Sequence, residues 1–443
     1  MTLATDFRRR SFMKWAAAAP LLGAITVREA FARAAAAVNK SAGRDFKNNI
    51  YTRLGVRPLI NARGHWTYLS STLQLREVRA AQEEASKYFI DIYELNRAVG
   101  KRLAELSGAE FGMVTAGVAA AMAAATAGCM AGTDPNKIWQ LPDPTGMKNE
   151  VIMFGGRNAF DSAIRLAGAR LVPAYTLEEL RSALHEKTAM VYTLLADEEV
   201  EEALVLTRNA GVPLFLDRAG GIPPIDGIQR YARMGVDLYA FSGGKGLKGP
   251  VCGGLLFGRK PLIEAALANY CPWEGAVGRP MKVGKEEIMG TLAAVEAWFT
   301  FDLKEMYAKW TAQMERIKTL VESVPGVTGE VFIPGGTGQR FPWLTVHWDE
   351  KEFGFTVEQC WQKLREGDPR IEVLIHNNPS LVPAVKEDRV KGRGNESDDA
   401  KGRGPGVNKI QIISLNVEPG EELLIGKRLR DLLKEARQTA RKA

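Results

Sequence analysis

From Phe111 onward, short apolar segments alternate with helical ones, and this alternation constrains the fold more than any other feature of the chain. Phe111–Val114 reads as a strand and Val118–Met130 as an alanine-rich helix. The strands Glu150–Phe154, Leu171–Ala174, Met190–Leu195 and Val212–Leu216 follow, separated by helical segments Phe160–Ala167, Leu177–His185 and Glu199–Asn209. A further helix, Pro224–Met234, leads to a strand over Asp237–Phe241. Strands separated by helices predict βαβ units and therefore a mostly parallel sheet covered on its faces. The chain has 443 residues, enough for two domains with substantial cores. The expected class is α/β, with a large domain over residues 77–305 and a smaller α+β domain over 306–443. Residues 38–76 read as an N-terminal arm. Helical spacing runs from Glu77 to Ser107, with Gly108 as a C-cap, and again from Lys285 to Leu320. The smaller domain is expected to hold strands Leu344–Trp348, Ile371–His376 and Lys409–Leu415 with helices Thr356–Arg365 and Glu421–Arg437. Residues 379–408 carry KGRG twice among charged residues and glycines, a composition that cannot bury a core, and read as a flexible surface loop.

The N-terminus has a different logic. Arg8-Arg9-Arg10-Ser11-Phe12-Met13-Lys14 matches a twin-arginine pattern, followed by an apolar run from Trp15 to Ile25 and small-residue cleavage sites around Ala30–Ala37. Residues 1–37 are therefore expected to be a signal peptide that engages the twin-arginine export machinery, giving a periplasmic or otherwise exported protein. The apolar run is too short to span a bilayer. Cleavage after Ala32 removes five basic residues and two acids (Asp6, Glu29), lowering the net charge from +7 to +4. Such a balance argues against nucleic acid as a partner. The four cysteines and four histidines lack metal-ligand spacing, so no metal is expected. Cys129 and Cys252 sit among small apolar residues and read as core.

Two residues near the ends of neighbouring strands carry the chemistry. Lys245 follows the strand Asp237–Phe241 inside Ser242-Gly243-Gly244 and Gly246. Glycines there allow close backbone approaches, and burial would favour the neutral amine, a nucleophile. Asp217 ends the strand Val212–Leu216 one βαβ step earlier, so both lie where α/β sheets bind ligands. An acid there can pair with a protonated pyridine nitrogen, which points to pyridoxal 5′-phosphate held by Lys245 as a Schiff base. Thr115-Ala116-Gly117-Val118 opens a helix whose free N–H groups and dipole suit the phosphate, and Ser242 offers a hydroxyl. Lys248 lies in the same loop but farther from the strand end. The stretch also fits the formal patterns Gly244-x-Gly246-x-x-Gly249 and Ser242-x-x-Lys245. The first should open a helix, but Pro250 and a strand-like VCGGLLFG follow; the second lacks its companion motifs.

Several longer strings then point to a family. LGVRPLINARGHWT, EEASKYFIDIYELNRAVGKRLAELSGAE, VTAGVAAAMAAATAG, FDSAIRLAGARLV, FSGGKGLKGP and GRPMKVGKEEIMG resemble the selenocysteine-synthase-like branch of the fold-type-I pyridoxal-phosphate enzymes. The resemblance spans about Tyr51 to Glu296 and weakens toward Arg437. It implies the aspartate-aminotransferase-like fold, Lys245 as the Schiff-base lysine and Asp217 as the pyridinium partner. It further implies that Arg279, Lys282 and Lys285 lie at the site, in the same subunit or from a neighbour, and that the chain forms a homodimer or larger. The family carries a histidine just before the arginine of the segment that here reads Phe154-Gly155-Gly156-Arg157-Asn158, so Gly156 is a departure. Arg218, where the family has a small residue, is another and implies an altered substrate pocket. The expected activity is α,β-elimination on an amino acid or amino sugar acid. The alternatives are transamination, racemisation, selenium transfer, and a non-catalytic exported binding protein. Arg340 is a candidate clamp for a substrate carboxylate.

Overall fold

The computed structural model describes residues 44–375 and 409–441. The signal peptide expected over 1–37 lies outside the described residues, as does the loop expected over 379–408. Strands β1 (Leu59–Asn61), β2 (Phe111–Ala116), β3 (Glu150–Phe154), β4 (Arg170–Ala174), β5 (Thr188–Thr193), β6 (Leu214–Asp217), β7 (Leu238–Ser242) and β8 (Gly253–Gly258) lie in the first part of the chain. Strands β9 (Val327–Phe332), β10 (Trp343–Trp348), β11 (Arg370–Glu372), β12 (Leu374–Ile375) and β13 (Ile410–Ile413) follow.

A seven-stranded sheet has the order β2-β8-β7-β6-β5-β3-β4. The run from β7 to β4 is parallel, and β8 is antiparallel to both β2 and β7. Parallel strands covered on both faces have no solvent side, and every residue of β3, β5 and β6 is accordingly buried. Seven helices matter for the site: α1 (Arg76–Ala85), α2 (Ile92–Ser107), α3 (Gly117–Ala131), α4 (Asp197–Asn209), α5 (Gly227–Met234), α6 (Lys285–Trp298) and α7 (Leu303–Glu322). Helix α8 (Glu421–Ala440) closes the described chain.

Local capping corrects three boundaries. The single helix expected over Glu77–Ser107 is two, because the Asp91 carboxylate accepts from the N–H groups of Tyr93 and Glu94 and starts α2 afresh. The helix expected over Lys285–Leu320 is likewise two, with Asp302 accepting from the Glu305 N–H to begin α7. The helix expected over Phe160–Ala167 is a single turn, Ser162–Arg165. A fourth correction concerns Cys252, which is exposed rather than in the core. The chain reverses between Gly243 and Gly253, with the Gly253 N–H donating to the Pro250 carbonyl, and this outer turn carries Cys252.

A second, four-stranded antiparallel sheet has the order β12-β13-β10-β9. The N-terminal arm joins this half of the molecule, since β1 pairs in parallel with β11, Ile60 opposite Ile371. Ile60, Met314, Ile317, Leu344, Ile412 and Leu429 are fully enclosed in the core between this sheet, α7 and α8. Beyond the pairing of β1 with β11 the Ala62 carbonyl accepts from the Ile413 N–H of β13, and residues 62–75 then run from the smaller sheet to the turn after β7, where Thr72 and Leu75 bind.

Candidate active site

The site is built around the turn after β7. The Gly243 N–H donates to the Gly253 carbonyl and the Gly249 N–H to the Gly243 carbonyl, both at 2.8 Å. A Cβ on Gly244 would lie 2.6 Å from Val251 Cα, and one on Gly246 would overlap the Ile222 carbonyl. Close approach of backbone to backbone is thus what requires glycine on both sides of Lys245. The crossing segment fastens the turn from above. Thr72 Oγ1 donates to the carbonyls of Gly244 and Lys245, at 2.8 and 3.0 Å. The Leu75 N–H donates to the Lys248 carbonyl at 2.9 Å. Asn416 Nδ2 in turn holds the segment, donating to the carbonyls of Gly64 and Ser71 at 3.2 and 2.8 Å.

The two lysines of the turn face different groups. Lys248 Nζ lies 3.9 Å from Glu418 Oε1. Lys245 is half-buried, yet its surroundings are dense enough that lost hydration pulls its amine below the ordinary lysine value. The Asp217 carboxylate, by attraction, opposes that shift.

Asp217 ends β6 directly opposite Ala240 of β7. Its Oδ1 accepts from the Ala219 N–H and its Oδ2 from the Tyr192 hydroxyl, each at 2.8 Å. Burial, reinforced by the Asp217 charge, pushes the Tyr192 phenol well above its usual range, so it remains a donor. Asn158 lies beside Tyr192; its Oδ1 accepts from the Phe160 N–H at 2.9 Å, and its Nδ2 is enclosed without a hydrogen-bond partner among the described residues. The loop leading to Asn158 passes through Gly155 and Gly156 at φ +99° and +92°. A side chain at 156 would be strained, which gives the departure noted there a backbone cause.

Arg218 does not shape the pocket as expected. Its side chain is buried beneath the sheet ends, where Nη2 lies 3.1 Å from Asp197 Oδ1, Nε donates to Tyr231 Oη at 2.9 Å and Nη1 to the Leu194 carbonyl at 3.0 Å. It ties the start of α4, at Asp197, to the middle of α5, at Tyr231.

On the other side of Lys245, Ser242 and Thr115 both stand opposite Gly254, one in β7 and one in β2. The first turn of α3 is therefore beside the end of β7. No side chain caps that helix, and the space a Cβ on Gly117 would enter is open. Thr115 and Ala116 are not free donors. The Thr115 hydroxyl donates to the Gly117 carbonyl at 2.9 Å, and the Ala116 N–H to Tyr270 Oη at 2.7 Å. The groups left facing outward are the amides of Gly117 and Val118, with the Ser242 hydroxyl nearby. Uncapped amides on a positive dipole end suit a phosphate.

The remaining candidates lie around this centre. Tyr270 pairs with Gly278, which brings Arg279 alongside, and its Nη1 is 4.0 Å from Cys271 Sγ. Lys282 is exposed, and Lys285 starts α6 in an ion pair with Glu286. Arg340 is exposed on a loop that touches the site, since the Gln339 N–H donates to the Gly220 carbonyl at 3.1 Å. The Tyr307 hydroxyl holds the Arg340 carbonyl.

Sequence reasoning did not find His65, Thr72, Tyr192 or Asn158. His65 is buried, packs edge-on against Phe341 with ring centroids 6.2 Å apart, and has an enclosed Nδ1 with no partner among the described residues. Burial first, and then the Lys245 charge, lower its imidazole to about 3. The detectable signal was weak: His65 and Thr72 belong to the crossing segment, which reads as turns and short apolar pieces.

No protein-family model matches the chain. It is 30% identical over 340 residues to a 5'-C-glycyluridine monooxygenase-decarboxylase from Streptomyces sp, covering 72% of this chain and 83% of the relative. It is 28% identical over 338 residues to the D-glucosaminate-6-phosphate ammonia lyase of Salmonella typhimurium, covering 72% and 88%. An L-seryl-tRNA(Sec) selenium transferase of Edwardsiella ictaluri is 26% identical over 315 residues, and the chain spans 61% of its length. The solved structure of a D-glucosaminate-6-phosphate ammonia-lyase superimposes with a TM-score of 0.72 at 25% identity, covering 88% of this chain and 99% of the other.

Proposed function

The chain belongs to the selenocysteine-synthase-like branch of the fold-type-I pyridoxal-phosphate enzymes, and from that premise we propose that it is a pyridoxal 5′-phosphate enzyme acting on an amino acid or amino sugar acid by α,β-elimination. One observation carries this reading. Lys245 occupies a glycine-bounded turn, with Asp217 at the end of the adjacent strand on one side and an uncapped helix start on the other.

The residues present fit the cofactor. Lys245 offers an amine kept reactive by burial. Asp217, oriented by Tyr192 and the Ala219 N–H, offers a fixed carboxylate for the pyridine nitrogen. Gly117, Val118 and Ser242 offer donors for the phosphate. When bound, the cofactor supplies an electron sink for charge developing at the substrate α-carbon. The chain supplies the rest. Lys245 Nζ carries protons between the α-carbon and the leaving group. The Thr72-fastened segment covers the turn and limits water. Arg279 and Arg340 offer guanidinium groups to a substrate carboxylate, and Lys282 and Lys285 add positive charge along the rim.

The Streptomyces relative, by its name a monooxygenase-decarboxylase, favours a second reading, loss of the substrate carboxylate as carbon dioxide with molecular oxygen as the oxidant. Release of ammonia without carbon dioxide supports elimination, and release of carbon dioxide supports the second. The exposed run Tyr88-Phe89-Ile90 between α1 and α2 supports assembly into a homodimer or larger. The arginine pair at Arg9-Arg10 supports export of the folded, loaded enzyme.

The test is reconstitution with pyridoxal 5′-phosphate followed by visible spectroscopy. Lys245→Ala is expected to abolish the band of the lysine-bound cofactor, and Lys248→Ala to retain it. The reverse pattern contradicts the reading.

A further inference from the structure

Lys248 is the second lysine of the turn, and the cofactor reading leaves it without a task. Its backbone is left-handed, with φ +55°, a conformation that is unfavourable for a residue with a Cβ and easy for glycine. The same turn places glycine at Gly243, Gly244, Gly246 and Gly249. A lysine at the left-handed position therefore points to a use for its side chain.

The main chain of Lys248 is joined directly to the site. Its N–H donates to the Lys245 carbonyl, and its carbonyl accepts from the Leu75 N–H of the crossing segment, both at 2.9 Å. Its side chain is only 15% exposed, and Nζ lies 3.9 Å from Glu418 Oε1. An ammonium with so little water around it is unfavourable unless an opposite charge faces it. Glu418 is itself fixed just ahead of α8. Its N–H donates to Glu421 Oε2 at 2.9 Å, and its carbonyl accepts from the Glu421 N–H at 3.0 Å. The other Glu421 oxygen pairs with Arg44 of the N-terminal arm. One residue back, Gln313 Nε2 of α7 donates to the Val417 carbonyl at 3.1 Å. Residues 416–418 thus hold the crossing segment, α7 and the lysine turn in succession. Domains of one chain move relative to each other unless their interface is tied, and this tie ends three residues from Lys245.

We propose that Lys248 is a positioning residue: its pair with Glu418 couples the Lys245 turn to the smaller domain, so that the setting of the Lys245 amine depends on where that domain sits. Lys248 acts through Lys245 and not on the substrate. This coupling rests on the cofactor reading for its optical readout alone.

The experiment compares the wild type with Lys248→Met, Glu418→Gln, Lys248→Arg and the double variant Lys248→Glu with Glu418→Lys. Each is reconstituted with pyridoxal 5′-phosphate, and visible circular dichroism per bound cofactor reads how the chromophore is oriented. Competitive acetylation before reconstitution, followed by peptide mass spectrometry across a range of pH, reads the titration of the Lys245 amine. Lys248→Met and Glu418→Gln are each expected to keep the visible band and lose dichroism. Both are expected to raise the Lys245 titration toward the ordinary lysine value, because a loosened turn admits water. Lys248→Arg is expected to keep both readouts near wild type, and the charge exchange to restore part of each. Should Lys248→Met not fold, Glu418→Gln, at a side chain 39% exposed, decides alone. Lower unfolding midpoints with wild-type dichroism and wild-type Lys245 titration make Lys248 merely structural and overturn the proposal. A loss in Lys248→Met without one in Glu418→Gln overturns it as well. A wild type with no visible band overturns the cofactor reading, and acetylation of Lys245 then decides the coupling by itself.

Discussion

The Tyr192 hydroxyl donates to Asp217 Oδ2 at 2.8 Å, from β5 to β6 across two adjacent parallel strands. With the Ala219 N–H on the other oxygen, the carboxylate is fixed before any ligand arrives. Preorganisation of this kind favours a bound cofactor because less ordering remains to be done on binding. Tyr192→Phe is therefore expected to keep the fold and to weaken cofactor retention by about tenfold, the order of one hydrogen bond to a charged group. Equilibrium dialysis against free pyridoxal 5′-phosphate measures it. Unchanged retention would show that the Ala219 N–H alone orients Asp217.

Arg218 separates stability from chemistry. Its guanidinium is buried against Asp197 and two loop carbonyls, so Arg218→Met leaves acceptors without donors. A loss of about 3 kcal/mol is expected in denaturant unfolding, with the visible cofactor band intact in the surviving folded protein. A lost band at undiminished stability would move Arg218 into the pocket.

Acid stability reports on His65. Its folded-state value, about 3, lies below the 6.5 of a free imidazole. Between those values the unfolded chain binds the extra proton, so stability rises with pH across that window and falls on acidification. His65→Phe removes this contribution. The wild type is expected to lose more stability than His65→Phe between pH 6.5 and pH 4, read from chemical denaturation midpoints. Parallel losses would mean that the ring is not buried neutral.

Export is tested without reference to the fold. Replacing Arg9 and Arg10 together by lysine is expected to leave the precursor in the cytoplasm, measured by fractionation. Normal periplasmic accumulation of that variant contradicts the twin-arginine reading.

The sheet was legible because parallel strands buried on both faces are mostly apolar, as the interiors of β3 (Val151–Phe154) and β5 (Ala189–Tyr192) are. Lys245 and Asp217 were legible because βαβ topology brings the ends of β6 and β7 together whatever lies between. Helix breaks at Asp91 and Asp302 were harder, since each is a single capping carboxylate inside continuous helical spacing. The bond from the Thr115 hydroxyl to the Gly117 carbonyl was not legible, because it is a matter of rotamer. Arg218 was misjudged because sequence does not say which way a strand-end side chain turns. Thr72 and His65 were invisible for a topological reason: the segment that carries them crosses between two sheets, and nothing local announces what it crosses over.

Lys245 is the residue expected to hold the cofactor. Borohydride reduction of the holoenzyme followed by peptide mass spectrometry tests it most directly. One phosphopyridoxyl adduct is expected, on Lys245, and none on Lys248. An adduct on Lys248, or no adduct on the peptide that contains both, would contradict it.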